Sequence, residues 1–341
     1  YRLIQYEFVR KENIANQMKI KRLKLAADYL LKKSRTVSYP SHIGIETTNN
    51  CNLDCIMCPR HDMTRPVQDM DMQVFRKIIN DIKGEVEMVW LQHYGEPFLD
   101  KKIFEKIKYA KKNGLQTGIS SNGTALSSGV IEGIFESGHD YIIFAFDGAS
   151  KETYEKIRLG ANFEHVTSNI KKFLEMKIKN KVNIFTVLQL IYMSETEDEI
   201  QDFISQWDID GVDGIRIRQV THSGNNGKFN NQSKKQPCYW LWSDPHIQVD
   251  GTVVPCCQDV NAVYPIGNIN EQSLGEIWNS EKMIKLREKH IDGDLEDLSL
   301  CQNCNMYQPH PALVVGNSIL DYTQASRLVP QAETIISKLR Y

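Results

Sequence analysis

Three cysteines crowd into one short stretch, CNLDCIMC, at Cys51, Cys55 and Cys58. Their Cx3Cx2C spacing lets three thiolates face one centre from a single loop. Structural zinc usually takes four protein ligands, commonly as two pairs. A [4Fe–4S] cluster also takes thiolates, and three cysteines would leave one of its irons open to a small molecule. The other five cysteines lie far downstream, at Cys238, Cys256, Cys257, Cys301 and Cys304. Cys238, Cys256, Cys301 and Cys304 suit a fully ligated centre, either a closed cluster or a structural zinc. Cys256 and Cys257 are adjacent, and on an extended strand they would point to opposite sides. Only one of them then serves that centre. The spacing favours Cys256, and Cys257 reads as a spare buried thiol.

The rest of the chain must position these groups. It has 341 residues, 41% hydrophobic and 25% charged, with a net charge of −2. That supports one large or two smaller globular domains and implies no global attraction to nucleic acid. No apolar run approaches the roughly 18–20 residues that span a bilayer, and no secretory core is evident. Clustered cysteines in a chain of this size point to metal or redox chemistry in a reducing, cytoplasmic setting rather than to disulfides.

Residues 2–35 read as a helix with ten Lys/Arg against three Asp/Glu. A solvated helix packed on the domain is favoured over a membrane-surface role. Beyond Pro40, strands alternate with helices. The expected strands are 42–48, 86–92, 115–120, 141–146, 181–190 and 214–220. The helices between them are 72–82, 100–113, 126–137, near 150–158, 163–178 and 196–206. Six such units predict a parallel α/β sheet, open or as an incomplete barrel. The Gly/Asn/Ser/Lys-rich stretch 221–238 reads as a loop and boundary. Asp250-Gly251 predicts a tight hairpin, and Ser273 with Glu276 a capping box for a helix through Trp278 and Met283. A last helix is expected over about 324–339. The organisation read here is an N-terminal basic helix (1–40), a barrel-like domain (41–222), a small cysteine-rich α+β domain (236–310) and a helical tail (311–341).

Ligands of parallel β/α sheets bind at the carboxyl ends of the strands. There stand the cysteine loop, HYGEP (93–97), SSNGT (120–124), FDGAS (146–150), Gln189, and Arg216 with Arg218. Alternation puts Ile215 and Ile217 on one face and both arginines on the other. If the isoleucines meet the helices, the arginines point inward and need anionic or hydrogen-bonding partners. The alternative is an edge strand with its arginines in water.

Cx3Cx2C after the first strand of a β/α repeat resembles the signature of the radical S-adenosylmethionine (SAM) superfamily. The resemblance implies a partial (β/α)6 barrel. It also implies a [4Fe–4S] cluster on Cys51, Cys55 and Cys58, whose open iron binds SAM through its amino and carboxylate groups. Reductive cleavage of SAM then gives a 5′-deoxyadenosyl radical that abstracts a substrate hydrogen. YGEP is similar to the family's Gly-Gly-Glu-Pro motif, which assigns the SAM amino group to Gly95 and Glu96; Tyr94 replaces the first glycine. SSNG is similar to the segment contacting the SAM ribose and carboxylate, through Ser121 and Asn122. FDGASKETYEKIR resembles a stretch that brings Arg158 to the SAM carboxylate. Gln189, near the end of strand 5, joins this cofactor-binding set. Met57 stands where the family often has an aromatic residue and can pack on the adenine. These motifs span roughly residues 42–220.

The downstream order Cys, DGxxxxC, GNI, IWNS and CxxC resembles the SPASM/twitch region that follows some barrels of this family. The spacing is similar to the twitch type of 2-deoxy-scyllo-inosamine dehydrogenase-type enzymes. That implies one auxiliary [4Fe–4S] cluster on Cys238, Cys256, Cys301 and Cys304, acting as electron acceptor. The implied reaction is oxidation of a secondary alcohol on a sugar or aminocyclitol. A flavodoxin- or ferredoxin-type protein would be the electron donor. Arg218, Arg216, Tyr94 and His93 are candidates by position for handling the hydroxyl proton. Epimerisation with Cys257 returning a hydrogen, and peptide modification, are the alternatives within this chemistry. No leader-peptide-binding domain is read before residue 40, which weighs against the peptide. A non-catalytic zinc- or cluster-binding protein is the alternative of another class.

Overall fold

The computed structural model describes residues 17–221, 236–302, 304–305 and 311–319. Of the expected helix over 2–35, residues 17–30 are helical (α1), and residues 2–16 lie outside the described set. The last expected helix, near 324–339, and most of the loop over 221–238 also lie outside it.

The β/α alternation continues as β1 (His42–Ile45), α2 (Met72–Ile82), β2 (Met88–Trp90), α3 (Ile103–Lys112) and β3 (Gln116–Ser121). Then come α4 (Ser128–Glu136), β4 (Tyr141–Ala145), α5 (Lys151–Ile157), α6 (Phe163–Lys179), β5 (Phe185–Tyr192), α7 (Ile200–Trp207) and β6 (Gly214–Gln219). After the loop follow α8 (Trp240–Ser243), β7 (His246–Ile247), β8 (Thr252–Val254), β9 (Gly267–Asn268), α9 (Leu274–Trp278), α10 (Glu281–Asp292) and α11 (Pro311–Ile319). No helix among the described residues is long and apolar enough to cross a membrane.

The helices form where periodicity and caps agree. In α2, Met72, Phe75, Ile78, Ile79 and Ile82 are buried on one face, and Asp71 caps the first turn by accepting from the Gln73 N–H at 2.6 Å. The expected helix from Ser273 through Met283 is instead two. The Ser273/Glu276 capping box forms as read and starts α9. The amide of Asn279 is drawn into a pair of hydrogen bonds with the Thr36 backbone, and Ser280 caps a fresh helix, α10. A side chain committed to a distant backbone competes with helix continuation.

All six strands β1 to β6 are parallel, and consecutive strands are neighbours. That is the winding of a barrel, with β6 at one edge of the sheet and unpaired with β1. At the β1 edge the sheet does not stop. β7 pairs parallel with β1, Gly44 opposite His246, and β8 and β9 extend the sheet antiparallel. The cysteine-rich segment is thus hydrogen-bonded into the barrel sheet. Gly44 permits this, because a Cβ there would lie 2.2 Å from the His246 ring.

Inward-facing positions change character along the strands. At the amino ends, Met88, Tyr141, Ile143, Phe185 and Val187 form a separate apolar cluster with Trp90 against it. Two or four residues beyond that cluster stand Gln92 and Gln189, which border a cleft together with Ser120 of β3 and Arg218 of β6. The apolar cluster plugs the barrel below, and the polar layer opens above it.

Candidate active site

The cleft lies at the carboxyl ends of β1 to β6 and encloses about 330 Å³. The run from Cys51 to Cys58 forms one side. Asn49 closes that loop at its base: its side chain accepts from the Gln68 N–H at 2.7 Å and donates to the Pro66 carbonyl at 2.9 Å. On the far side, the Asp54 and Ile56 N–H groups donate to the carbonyls of Leu159 and Ile157, each at 3.0 Å. The loop is therefore held by the end of α5, and Cys51, Cys55, Cys58 and Met57 all border the cleft. Burial pushes all three thiols above their ordinary range, Cys55 to about 11, with the Arg158 charge pulling the other way. Bound metal would reverse that balance, because ligation requires the thiolate.

Cys51, Cys55, Cys58, Cys256 and Cys257 are in no disulfide. Among the described residues, no three His, Cys, Asp or Glu side chains close around a position the size of one ion. The thiolates of a four-iron cluster each hold their own iron and stand around a larger body. Three thiols on one cleft wall, electrostatically within reach of one another, fit that donor set.

Gly95 lies flat against the cysteine loop. A Cβ there would sit 2.2 Å from the Thr48 carbonyl oxygen and 2.9 Å from that of Asn50. The next N–H, of Glu96, donates to Asn50 O at 2.8 Å. Gly95→Ala is expected to cost about 1–3 kcal/mol by overpacking and to push the loop outward. Anaerobic urea denaturation and iron content measure it. Wild-type stability with wild-type iron would show instead that the loop yields freely.

The Glu96 carboxylate is buried and ties the strand ends together. It accepts from the Ser121 hydroxyl at 2.8 Å and the Asn122 N–H at 2.7 Å. Burial raises its pKa, and these donors oppose the rise. The Asn122 side chain donates to Asn52 Oδ1 at 3.1 Å and lies 4.0 Å from Cys51 Sγ. Glu96, Ser121 and Asn122 border the cleft, but these polar contacts already go to other protein groups.

Arg158 is also committed. Its guanidinium donates twice to Asp147 Oδ2, at 2.6 and 3.0 Å, and Nη1 lies 3.9 Å from Cys55 Sγ. Asp147 is fully buried and also accepts from the Ile191 N–H at 2.7 Å. Sequence reasoning passed over Asp147, although a carboxylate at the end of a parallel strand was the available signal.

Arg218 and Gln189 reach the cleft. Arg216, opposite Gln189 in the β5–β6 register, does not border it. Ile215 packs against the core, whereas Ile217 is exposed, so only one isoleucine meets the helical layer.

The adjacent cysteines depart from the expected geometry. β8 ends at Val254, and Cys256 and Cys257 sit on the turn that follows. Off the strand, alternation no longer separates them, and Gln258 donates to both sulfurs, through its N–H to Cys256 Sγ at 3.4 Å and through Nε2 to Cys257 Sγ at 3.9 Å. Cys256 also feels Cys238, whereas Cys257 borders the cleft beside Arg218 and His246. The His93 side chain and Tyr94 are buried, and both address the Cys257 carbonyl, His93 Nε2 at 3.0 Å. Toward a carbonyl the ring nitrogen must donate, which makes His93 the Nε2–H tautomer. Burial, and then the neighbouring His246, lower its pKa well below the usual value.

Two groups were missed. His246 borders the cleft, packs its ring at a tilt against His93 at 4.7 Å between centroids, and has no hydrogen-bond partner at Nδ1. Glu46 is fully buried at the end of β1. It takes both terminal nitrogens of Arg65, at 2.8 and 3.0 Å, and the Val249 N–H at 3.1 Å. Continuing the inward face from Gly44 would have pointed to Glu46.

Comparison with known proteins bears on this arrangement. Residues 45–206 match the model of the radical SAM superfamily, and residues 238–305 match SPASM, an iron–sulfur cluster-binding domain. The chain is 23% identical to a tungsten-containing aldehyde ferredoxin oxidoreductase cofactor-modifying protein of Pyrococcus furiosus, over 84% of this chain and 96% of that one. A 59-residue stretch is 37% identical to an S-adenosyl-L-methionine-dependent 2-deoxy-scyllo-inosamine dehydrogenase of Niallia circulans, covering 17% of this chain and 24% of that one. The crystal structure of BtrN in complex with AdoMet and 2-DOIA superimposes with TM-score 0.55 at 19% identity, over 79% of this chain and 94% of that one. That likeness is one of fold.

Proposed function

The chain is a radical SAM enzyme with a SPASM domain, and from that premise we propose that it oxidises a hydroxyl-bearing carbon of a small polar substrate, a sugar or aminocyclitol. SAM and [4Fe–4S] clusters are its cofactors. When bound, they supply a radical able to abstract hydrogen from carbon and an acceptor for the electron left behind. Cys51, Cys55 and Cys58 hold the open cluster. Cys238, Cys256, Cys301 and Cys304 hold the closed one.

The observation that carries the reading is the polar wall facing the cysteine loop, made by Gln189, Arg218 and His246. Arg218 and Gln189 bind the substrate's hydroxyl groups. Two electrons and two protons leave the alcohol in total: one hydrogen atom from carbon, then the hydroxyl proton and one electron. The His246 imidazole receives that proton, and the Arg218 cation stabilises the developing oxyanion. Met57 and Leu53 give the cleft an apolar side on which a purine packs.

A second reading, epimerisation, is favoured by one contact: the Cys257 thiol borders the same cleft. A thiol there would return a hydrogen atom to carbon; the sulfur radical left behind would then need one electron, which a reduced cluster would supply, and one proton, so the substrate undergoes no net oxidation. Incubation of the reduced holoenzyme with aminocyclitols and aldohexoses in deuterated water separates the two. A ketone product without carbon-bound deuterium is expected. A redox-neutral product carrying one deuterium would sink the first reading in favour of the second.

A further inference from the structure

His93 and Tyr94 stand next to the two residues that border the SAM side of the cleft, yet their hydrogen bonds run the other way. Both address one acceptor, the backbone carbonyl of Cys257. That carbonyl belongs to the turn carrying Cys256, which is electrostatically within reach of Cys238. Immediately beyond them, Gly95 packs on the Thr48 and Asn50 carbonyls, and Glu96 N–H donates to Asn50 O at 2.8 Å. Four consecutive residues therefore bridge the turn of the auxiliary cysteines and the loop of the open cluster.

The bridge has little freedom. The His93 and Tyr94 rings are tilted against each other at 4.1 Å between centroids, and the His246 ring packs against His93 at 4.7 Å. Beneath them, His93 Nδ1 lies 3.6 Å from Glu46 Oε1. Glu46 is tied to Val249 of the β7–β8 hairpin, and Arg65 joins Glu46 to the Val260 carbonyl at 2.6 Å. Packed, buried segments of this kind transmit displacement instead of absorbing it.

We propose that Tyr94 and His93 are positioning residues that couple the auxiliary cysteine site to SAM binding. A centre assembled on Cys256 fixes the Cys257 carbonyl. The carbonyl fixes Tyr94 and His93, and these orient Gly95 and Glu96 for the SAM amino group. The glycine expected at position 94 could not do this, having no side chain to reach Cys257. By linkage, SAM in turn favours retention of the auxiliary centre. The inference rests on the assignment of Gly95 and Glu96 to SAM and of Cys256 to the auxiliary cluster.

The test is SAM affinity, measured by equilibrium dialysis on anaerobically reconstituted full-length protein. Cys301→Ala/Cys304→Ala removes auxiliary ligands, and iron analysis with Mössbauer spectroscopy verifies that the other cluster remains. SAM binding is expected to weaken about five- to tenfold, within the ordinary range of coupling between sites. In a Tyr94→Phe background, which keeps the ring and removes the hydroxyl, the same loss should cost only about two- to threefold. Equal fold-changes in both backgrounds, or SAM affinity indifferent to the auxiliary centre, would overturn the inference. If Cys301→Ala/Cys304→Ala loses both clusters, Cys238→Ala serves as the auxiliary-site variant in the same comparison. Wild-type holoenzyme that binds no SAM would overturn the site assignment and this inference with it.

Discussion

Replacing any one of Cys51, Cys55 and Cys58 with alanine is expected to reduce SAM cleavage by at least about a hundredfold, since even outer-shell changes at metal sites cost 10–100-fold. The reason is geometric. The three thiols share one loop and one cleft wall, and among the described residues the one other cysteine that borders the cleft is Cys257. Arg158 and Asn122 approach the sulfurs of Cys55 and Cys51 but supply no soft ligand in their place. The readout is 5′-deoxyadenosine released by dithionite-reduced protein. Changing Cys301 and Cys304 instead should leave cleavage measurable at saturating SAM while product formation is lost. Wild-type cleavage by the Cys55→Ala protein would show that the open cluster is held elsewhere.

Asp147→Ala is expected to destabilise the fold by about 3–5 kcal/mol, the usual cost of leaving a buried charge without its partner. Arg158 is 6% exposed and Asp147 fully buried, so water cannot replace the lost carboxylate. The Ile191 N–H loses its acceptor at the same time. Anaerobic urea denaturation reads the loss as a fall in midpoint at constant slope. Asp147→Ala/Arg158→Met should recover much of the stability, because an apolar pair can replace a buried ion pair. It should not recover tight SAM binding, because the cation beside Cys55 is gone. A loss below about 1 kcal/mol for the single variant would place Arg158 in a wetter setting than its burial indicates.

Some features of the site were legible before any fold was known. The cysteine spacing is a local property: three thiols within eight residues must lie near one another whatever surrounds them. The β/α alternation is nearly as local, and α2 forms over the residues read for it because cap, face and length agree. Strand ends were less legible. The strand expected over 42–48 stops at Ile45, where Asn49 and Thr48 turn to pair with the 66–69 segment. The strand expected from 181 begins at Phe185. In both cases β-propensity continues past the last residue that finds a neighbouring strand.

The sequence by itself determined the chemistry that can be held: an open three-thiol loop, and four suitable thiols downstream. It also determined the order of strands that brings polar residues to one end. Only the tertiary structure decided how the two cysteine groups meet. The β1–β7 pairing and the joint hold of His93 and Tyr94 on the Cys257 carbonyl each join residues more than 150 positions apart. Local spacing carries no record of such partners. They are selected by which sheet edge is left open and which buried donors still need an acceptor.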